Sequence, residues 1–174
     1  WNMMLSFPEW LMQFHFNSEP IITAFLKMDT IWDLLYTIFV IAIIPAIGEE
    51  LFFRGYLQQK IGNWLSDHHK AIILTGFLFS AIHLDLQAII PRFVLGVFLG
   101  YLYYWGRNLW LPILAHFTNN GIAVIFSYPL FKVENSAYSV FSNTKIDPML
   151  GLFSFCSSAL LIYILYQNLN VKKD

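Results

Sequence analysis

Charge is what this sequence has least of. Lys and Arg number ten and Asp and Glu eleven among 174 residues, so 12% of the chain is charged, about half the share of a soluble domain. So few charges cannot cover the surface of a soluble globule this size. With 57% hydrophobic residues and a mean hydropathy of +0.57, that class is excluded. The formal net charge of -1 leaves no basic stripe, so no nucleic acid is expected as a partner. Cysteine is nearly absent. Cys156 stands alone, which removes intramolecular disulfides and any cysteine-based zinc cluster. The chain also lacks an internal repeat, a low-complexity tract, and the charged n-region and cleavage site of a signal peptide. Disorder is excluded by the 18% of aromatic residues and the near-neutral charge. What remains is an all-α polytopic transmembrane helical bundle.

Charge-poor windows place about five spans in it. The first runs from about Ile31 to Gly48 with only Asp33 charged, then continues as Glu49-Glu50-Leu51-Phe52-Phe53-Arg54. The second covers about Ala71 to Ile90 and is interrupted by His83 and Asp85. The third lies between Arg92 and Arg107, just after Pro91. It reaches only about 21 Å, short of a bilayer of about 30 Å, and must extend through its flanks or sit where the membrane is thin. The fourth spans about Trp110 to Phe131 and the fifth about Met149 to Leu169. Residues 1–30 read as an amphipathic, interfacial N-terminal segment, and 31–174 as one membrane domain. Trp64 to Lys70 is a short polar connection, and Lys132 to Pro148 is the longest loop. Trp1 stands where Met would open a chain, so an excerpt or a processed product is expected. Alternation of the spans puts Lys60, Lys70, Arg107, Lys172 and Lys173 on one side, and Lys27, Arg92, Lys132 and Lys145 on the other. The positive-inside rule then favours a cytoplasmic C-terminus.

Ionisable residues inside apolar spans are costly and by default suggest function. Glu49 and Glu50 follow Pro45-Ala46-Ile47-Gly48 without a break in the apolar run. In a helix Glu50 and Arg54 share a face and can pair, while Glu49 points about 100° away. One carboxylate is thus neutralised and its neighbour left for chemistry; alone, the pair also fits an interfacial helix end. His83 sits about 18 Å along the second span, one turn after Phe79. His116 and Asn120 are again four apart, with Asn119 adjacent. Taken singly, these read equally well as interhelical hydrogen-bonding residues. Together they bring two carboxylates, two imidazoles, an amide and an arginine to one intramembrane cavity: a base, a second proton-transfer group and oxyanion donors. No Gly-x-Ser-x-Gly, Ser-Lys, Cys-His or His-Glu-x-x-His pattern is present, so nucleophilic catalysis is unsupported. Gly96 and Gly100 read as a close-packing Gly-x-x-x-Gly. Asp85 has no evident partner, and His68-His69 reads as solvated.

These motifs resemble those of the CPBP intramembrane proteases, also called the CAAX prenyl endopeptidase or ABI family. Glu49-Glu50-Leu51-Phe52-Phe53-Arg54 is similar to its first motif, Glu-Glu-x-x-x-Arg. Phe79-Ser80-Ala81-Ile82-His83 matches Phe-x-x-x-His, and His116-Phe117-Thr118-Asn119-Asn120 matches His-x-x-x-Asn. The resemblance covers about Ile31 to Ile125. It implies endoproteolysis within a bacterial cell membrane, on membrane-embedded or lipidated, CAAX-like substrates, with the lipid bilayer as the other partner. It implies that Glu49 activates the hydrolytic water with His83, and that Arg54 holds Glu50. His116 and Asn120 would stabilise the oxyanion, and Phe79 would shape the pocket. No cofactor is expected; the alternative is Zn2+ held by Glu49, His83 and His116. The family has members with more than five spans, so further helices before Trp1 are compatible with it. Two other readings compete. One is a non-enzymatic relative, a bacteriocin-immunity factor or scaffold, whose mark would be loss of a Glu or His from the set; none is lost. The other is a cation-coupled transporter, which five spans without repeat symmetry argue against.

Overall fold

Two short polar side chains start the first two helices. Thr30 accepts a hydrogen bond from the Asp33 N–H, and the Asp33 carboxylate accepts one from the Thr30 N–H at 2.8 Å, a reciprocal cap. Asp67 accepts from the His69 and Lys70 N–H groups at 2.9 and 3.0 Å. The computed structural model describes residues 24–86, 88–129 and 166–167. Within them are helices α1 (Ile31–Leu65), α2 (His68–Ala81), α3 (Ile89–Gly106) and α4 (Trp110–Ser127), and no strand among the described residues. Ser66 and Arg107 close α1 and α3 in the left-handed region, with φ of 50° and 47°. All four helices belong to one compact unit, residues 2–131. A second unit takes in residues 1 and 132–174, of which 166–167 are described, as helix. The expected fifth span, the loop 132–148, Cys156 and residues 1–23 of the N-terminal segment lie outside the described residues.

Helix α1 is long, about 52 Å at 1.5 Å per residue, and it is not uniform. Two stretches, Ile38–Ile43 and Leu51–Leu57, take the wider π winding, a form that often marks functional positions. Pro45 falls just after the first and Glu49-Glu50 just before the second. By length and apolarity α1 and α3 can each cross a membrane. The second expected span is corrected: α2 has 14 residues and ends at Ala81. Beyond it the backbone tightens to three-residue bonds, His83 N–H to Ser80 and Leu84 N–H to Ala81, and Leu84 adopts a positive φ of 50°. His83 therefore sits in the turn after the helix. Asp85, expected to be partnerless, pairs with Arg92 at 2.9 Å across that turn.

Burial is inverted relative to a soluble protein. Glu50, Arg54, Gln58, Thr75, Ser80 and His116 are buried, while Trp32, Phe39, Phe52 and Phe126 stand exposed. An apolar exterior around a polar seam suits lipid as the solvent, since a polar group facing hydrocarbon costs several kcal/mol. The chain is a membrane protein by that pattern. The seam is sealed by close approach of α2 to α3. A Cβ on Gly96 would meet the Gly76 Cα at 3.0 Å and the Phe79 Cδ1 at 3.1 Å, so only glycine lets the backbones pack this tightly.

Candidate active site

Glu50 and Arg54, one turn apart on α1, form a fully buried ion pair at 2.7 Å. The second guanidinium nitrogen of Arg54 donates to the Gly96 carbonyl on α3 at 2.8 Å. The guanidinium also lies over the Phe79 ring, 4.8 Å from its centre. His116 of α4 donates from Nδ1 to the same Glu50 oxygen at 2.9 Å, because a carboxylate can only accept. Glu50 and its arginine thus tie three helices together. One turn further along α1, Gln58 repeats the pattern and donates to the Gly100 carbonyl at 3.2 Å. The two glycines read as packing residues also serve as acceptors. Gln58 belongs to none of the three motifs; its signal in the sequence is the four-residue step Glu50, Arg54, Gln58.

Phe79 brings the two histidines to one place. Its ring centre is 5.2 Å from that of His83 and 5.8 Å from that of His116, and Phe53 packs edge-on against it at 5.2 Å. His83 Nδ1 donates to the Phe79 carbonyl at 2.7 Å. A carbonyl has no proton to give, so this bond places the hydrogen on Nδ1 and leaves Nε2 as an acceptor. The His83 backbone N–H has gone to Ser80 instead, so the imidazole caps the end of α2. The expected face shared by Phe79 and His83 is present, built by a cap rather than by continuing helix.

Glu49 is the exception in the seam. Its side chain is 27% exposed, and Oε2 lies 3.9 Å from His116 Nε2. That oxygen is buried yet has no hydrogen-bond partner among the described residues, as is also true of Glu50 Oε2; the exception lies in the exposure of Glu49. A buried acceptor left open costs about 1–3 kcal/mol, and such a site invites a donor, water included. The neighbouring Gly48 faces open space, with nothing within 4 Å of where a methyl group would stand. Glu49 and His83 make no direct hydrogen bond to each other.

Asn120 is brought to α1 but not to Glu49. Its Nδ2 donates to the Ile41 carbonyl at 3.3 Å, and its Oδ1 accepts from Asn119 at 3.1 Å. No group of three His, Cys, Asp or Glu side chains among the described residues is placed to hold a metal ion. In the alternative zinc set each imidazole is oriented through Nδ1, His83 on a carbonyl and His116 on Glu50, so any ligation would fall to Nε2.

The comparisons with known proteins fall on this same stretch. Residues 31–122 match the family described as type II CAAX prenyl endopeptidase Rce1-like. The chain is similar to the membrane-embedded CAAX protease MroQ of Staphylococcus aureus strain USA300, 34% identical over 94 residues, which cover 51% of this chain and 38% of MroQ. YpbD of Bacillus subtilis strain 168, an uncharacterised protein, is 31% identical over 81 residues, 44% of this chain and 38% of YpbD. YdiL of the same organism, a candidate membrane peptidase by name, is 28% identical over 102 residues, 56% of this chain and 40% of YdiL. These matches span about two fifths of the length of the curated relatives. No solved structure matches the chain significantly.

Proposed function

The chain belongs to the Rce1-like family of type II CAAX prenyl endopeptidases, and from that premise we propose that it is an intramembrane endopeptidase using Glu49 as general base. The observation that carries the reading is the unequal pair of glutamates. Each keeps a buried Oε2 without a partner among the described residues, but Glu50 is fully buried with Arg54 and His116 both on its Oε1, while Glu49 is 27% exposed, its Oε2 beside the second nitrogen of His116. A water accepted there gives its proton to Glu49 as its oxygen attacks the scissile carbonyl. Glu49 returns the proton to the leaving amine, so that water and peptide become a carboxylic acid and an amine. His83, with Nδ1 fixed on the Phe79 carbonyl, offers Nε2 as a second proton acceptor. As an imidazolium, with Nδ1–H held on Glu50, His116 would donate from Nε2 to the developing oxyanion. Phe79 holds both rings and walls the pocket.

We propose that no metal takes part; what supports this is that no three His, Cys, Asp or Glu side chains among the described residues stand close enough together to hold one. The substrate is a membrane-embedded or lipidated peptide, in keeping with the name of the staphylococcal relative, a CAAX protease. The purified protein is incubated with prenylated and unprenylated membrane peptides, with and without a chelator, and the products are read by mass spectrometry. One internal cleavage site, unchanged by chelator, is expected. No cleavage of any such peptide would overturn the protease reading, and loss of cleavage in chelator would overturn the metal-free one.

A further inference from the structure

We propose that Asp85 and Arg92 are a positioning pair: they clamp the turn that carries His83 onto the first turn of α3, and so fix where the imidazole points. His83 lies beyond the end of α2, so helical winding does not hold it. The turn's own backbone bonds are two, His83 N–H to Ser80 at 3.4 Å and Leu84 N–H to Ala81 at 3.1 Å. Leu84 beside it sits at a φ of 50°, a conformation unfavourable for a residue with a side chain. Such a residue persists only where its surroundings impose it.

Asp85 imposes it from the far side of the turn. One of its carboxylate oxygens accepts from the Ala88 N–H at 3.4 Å, and the other meets Arg92 at 2.9 Å. The side chains of Arg92 and Asp85 are only 26% and 19% exposed, so solvent screens the pair little. Ala88 opens α3 without a capping side chain of its own. Asp85, three residues earlier, takes that N–H and sets negative charge where the helix dipole favours it. A second tie stands on the other side of His83, where the Ser80 hydroxyl donates to the Ile89 carbonyl. His83 is thus held between two ties to the same end of α3. The bond from its Nδ1 to the Phe79 carbonyl needs the turn folded back over the end of α2, and that bond leaves Nε2 as the acceptor. Asp85 and Arg92 act through the turn. The inference rests on His83 taking part in proton transfer, but the docking of the turn does not.

The test uses the full chain in lipid nanodiscs, with Asp85→Ala, Asp85→Asn and Arg92→Lys. Peptide cleavage gives kcat and KM. In parallel, 15N-histidine labelling reads which ring nitrogen of His83 carries the hydrogen, its signal assigned by difference with His83→Gln. In the wild type that hydrogen is expected on Nδ1. Asp85→Ala is expected to shift part of the His83 signal to the Nε2–H tautomer. It should also lower kcat up to about 100-fold, the cost of misplacing a group by about 1 Å, with little change in KM. Asp85→Asn keeps an acceptor for the Ala88 N–H and Arg92→Lys keeps the charge, so both should lie between Asp85→Ala and wild type. An unmoved His83 signal in Asp85→Ala overturns the proposal, even if the protein is less stable, because the pair is then only structural. A moved signal with wild-type cleavage supports the positioning role and overturns the part given to His83 in proton transfer. Should Asp85→Ala fail to fold, the same spectrum of Asp85→Asn decides: an unmoved signal there overturns the proposal.

Discussion

The sealed half of the polar seam and its open half start from the same dipeptide and end in opposite surroundings. Glu50 Oε1 meets Arg54, the far side of which meets the Gly96 carbonyl, and the same oxygen accepts from His116. Glu49, one residue earlier, has a quarter of its side chain accessible, where that of Glu50 is fully buried. The difference is a rotation of about 100° on one helix. On a membrane helix, where charge is costly, one carboxylate is thereby neutralised and ties three helices, and the other is the one proposed for chemistry. The same division appears in the glycines. Gly96 lies where a methyl would strike backbone, and Gly48 lies where it would strike nothing.

Removing a partner from the sealed half should do the most damage. Arg54→Met leaves Glu50 buried and uncompensated, which costs about 3–5 kcal/mol, read as a lowered thermal unfolding temperature in detergent. Arg54→Lys keeps the charge but loses the second fork nitrogen on the Gly96 carbonyl, and it should fall between Met and wild type. A stable Arg54→Met protein would break the contrast. Next come the glycines. Gly96→Ala must push α3 from α2 and should cost about 1–3 kcal/mol as overpacking, whereas Gly48→Ala should be stabilising by about 0.5–1 kcal/mol through helix propensity. Equal effects of the two would mean the open half is less open than it looks.

The smallest effect lies away from the seam, at the exposed start of α2. The Lys70 backbone N–H, assisted by the Lys70 side chain and the His69 N–H, holds the Asp67 carboxyl below its ordinary value. The sign follows from linkage: the lowered native pKa stabilises the fold above about pH 4, and that contribution disappears as acid protonates the cap. Unfolding temperatures between about pH 5 and 3 should therefore fall slightly more for wild type than for Asp67→Asn, whose amide caps without titrating.

Much of the site is legible in the sequence, for physical reasons. Charge in an apolar run is conspicuous, and the four-residue step from Glu50 to Arg54 puts the two on one face whatever surrounds them. The same step places Phe79 beside His83, although α2 stops two residues short of the histidine. That stop is not legible, because the three-residue bonds and the positive φ of Leu84 that follow it leave no mark in the spacing. Nor is the Asp85–Arg92 pair, since seven residues across a turn follow no helical period. The partner of Asn120 is hidden for a different reason. The resemblance implies an oxyanion group, but its bond goes to the Ile41 carbonyl, 79 residues earlier. Sequence spacing reports neighbours on one helix; the acceptors Gly96, Gly100 and Ile41 are backbone atoms of other helices, which no side-chain pattern marks.

The division between Glu49 and Glu50 is tested most directly by the matched variants Glu49→Gln and Glu50→Gln, each measured for unfolding temperature and for cleavage of one membrane peptide. Glu49→Gln should unfold at the wild-type temperature and lose about 10²- to 10⁴-fold in cleavage rate, the worth of a general base. Glu50→Gln should unfold at a clearly lower temperature, because Arg54 loses its buried counter-charge. Wild-type cleavage by Glu49→Gln, or a Glu50→Gln protein as stable as wild type, would contradict the account.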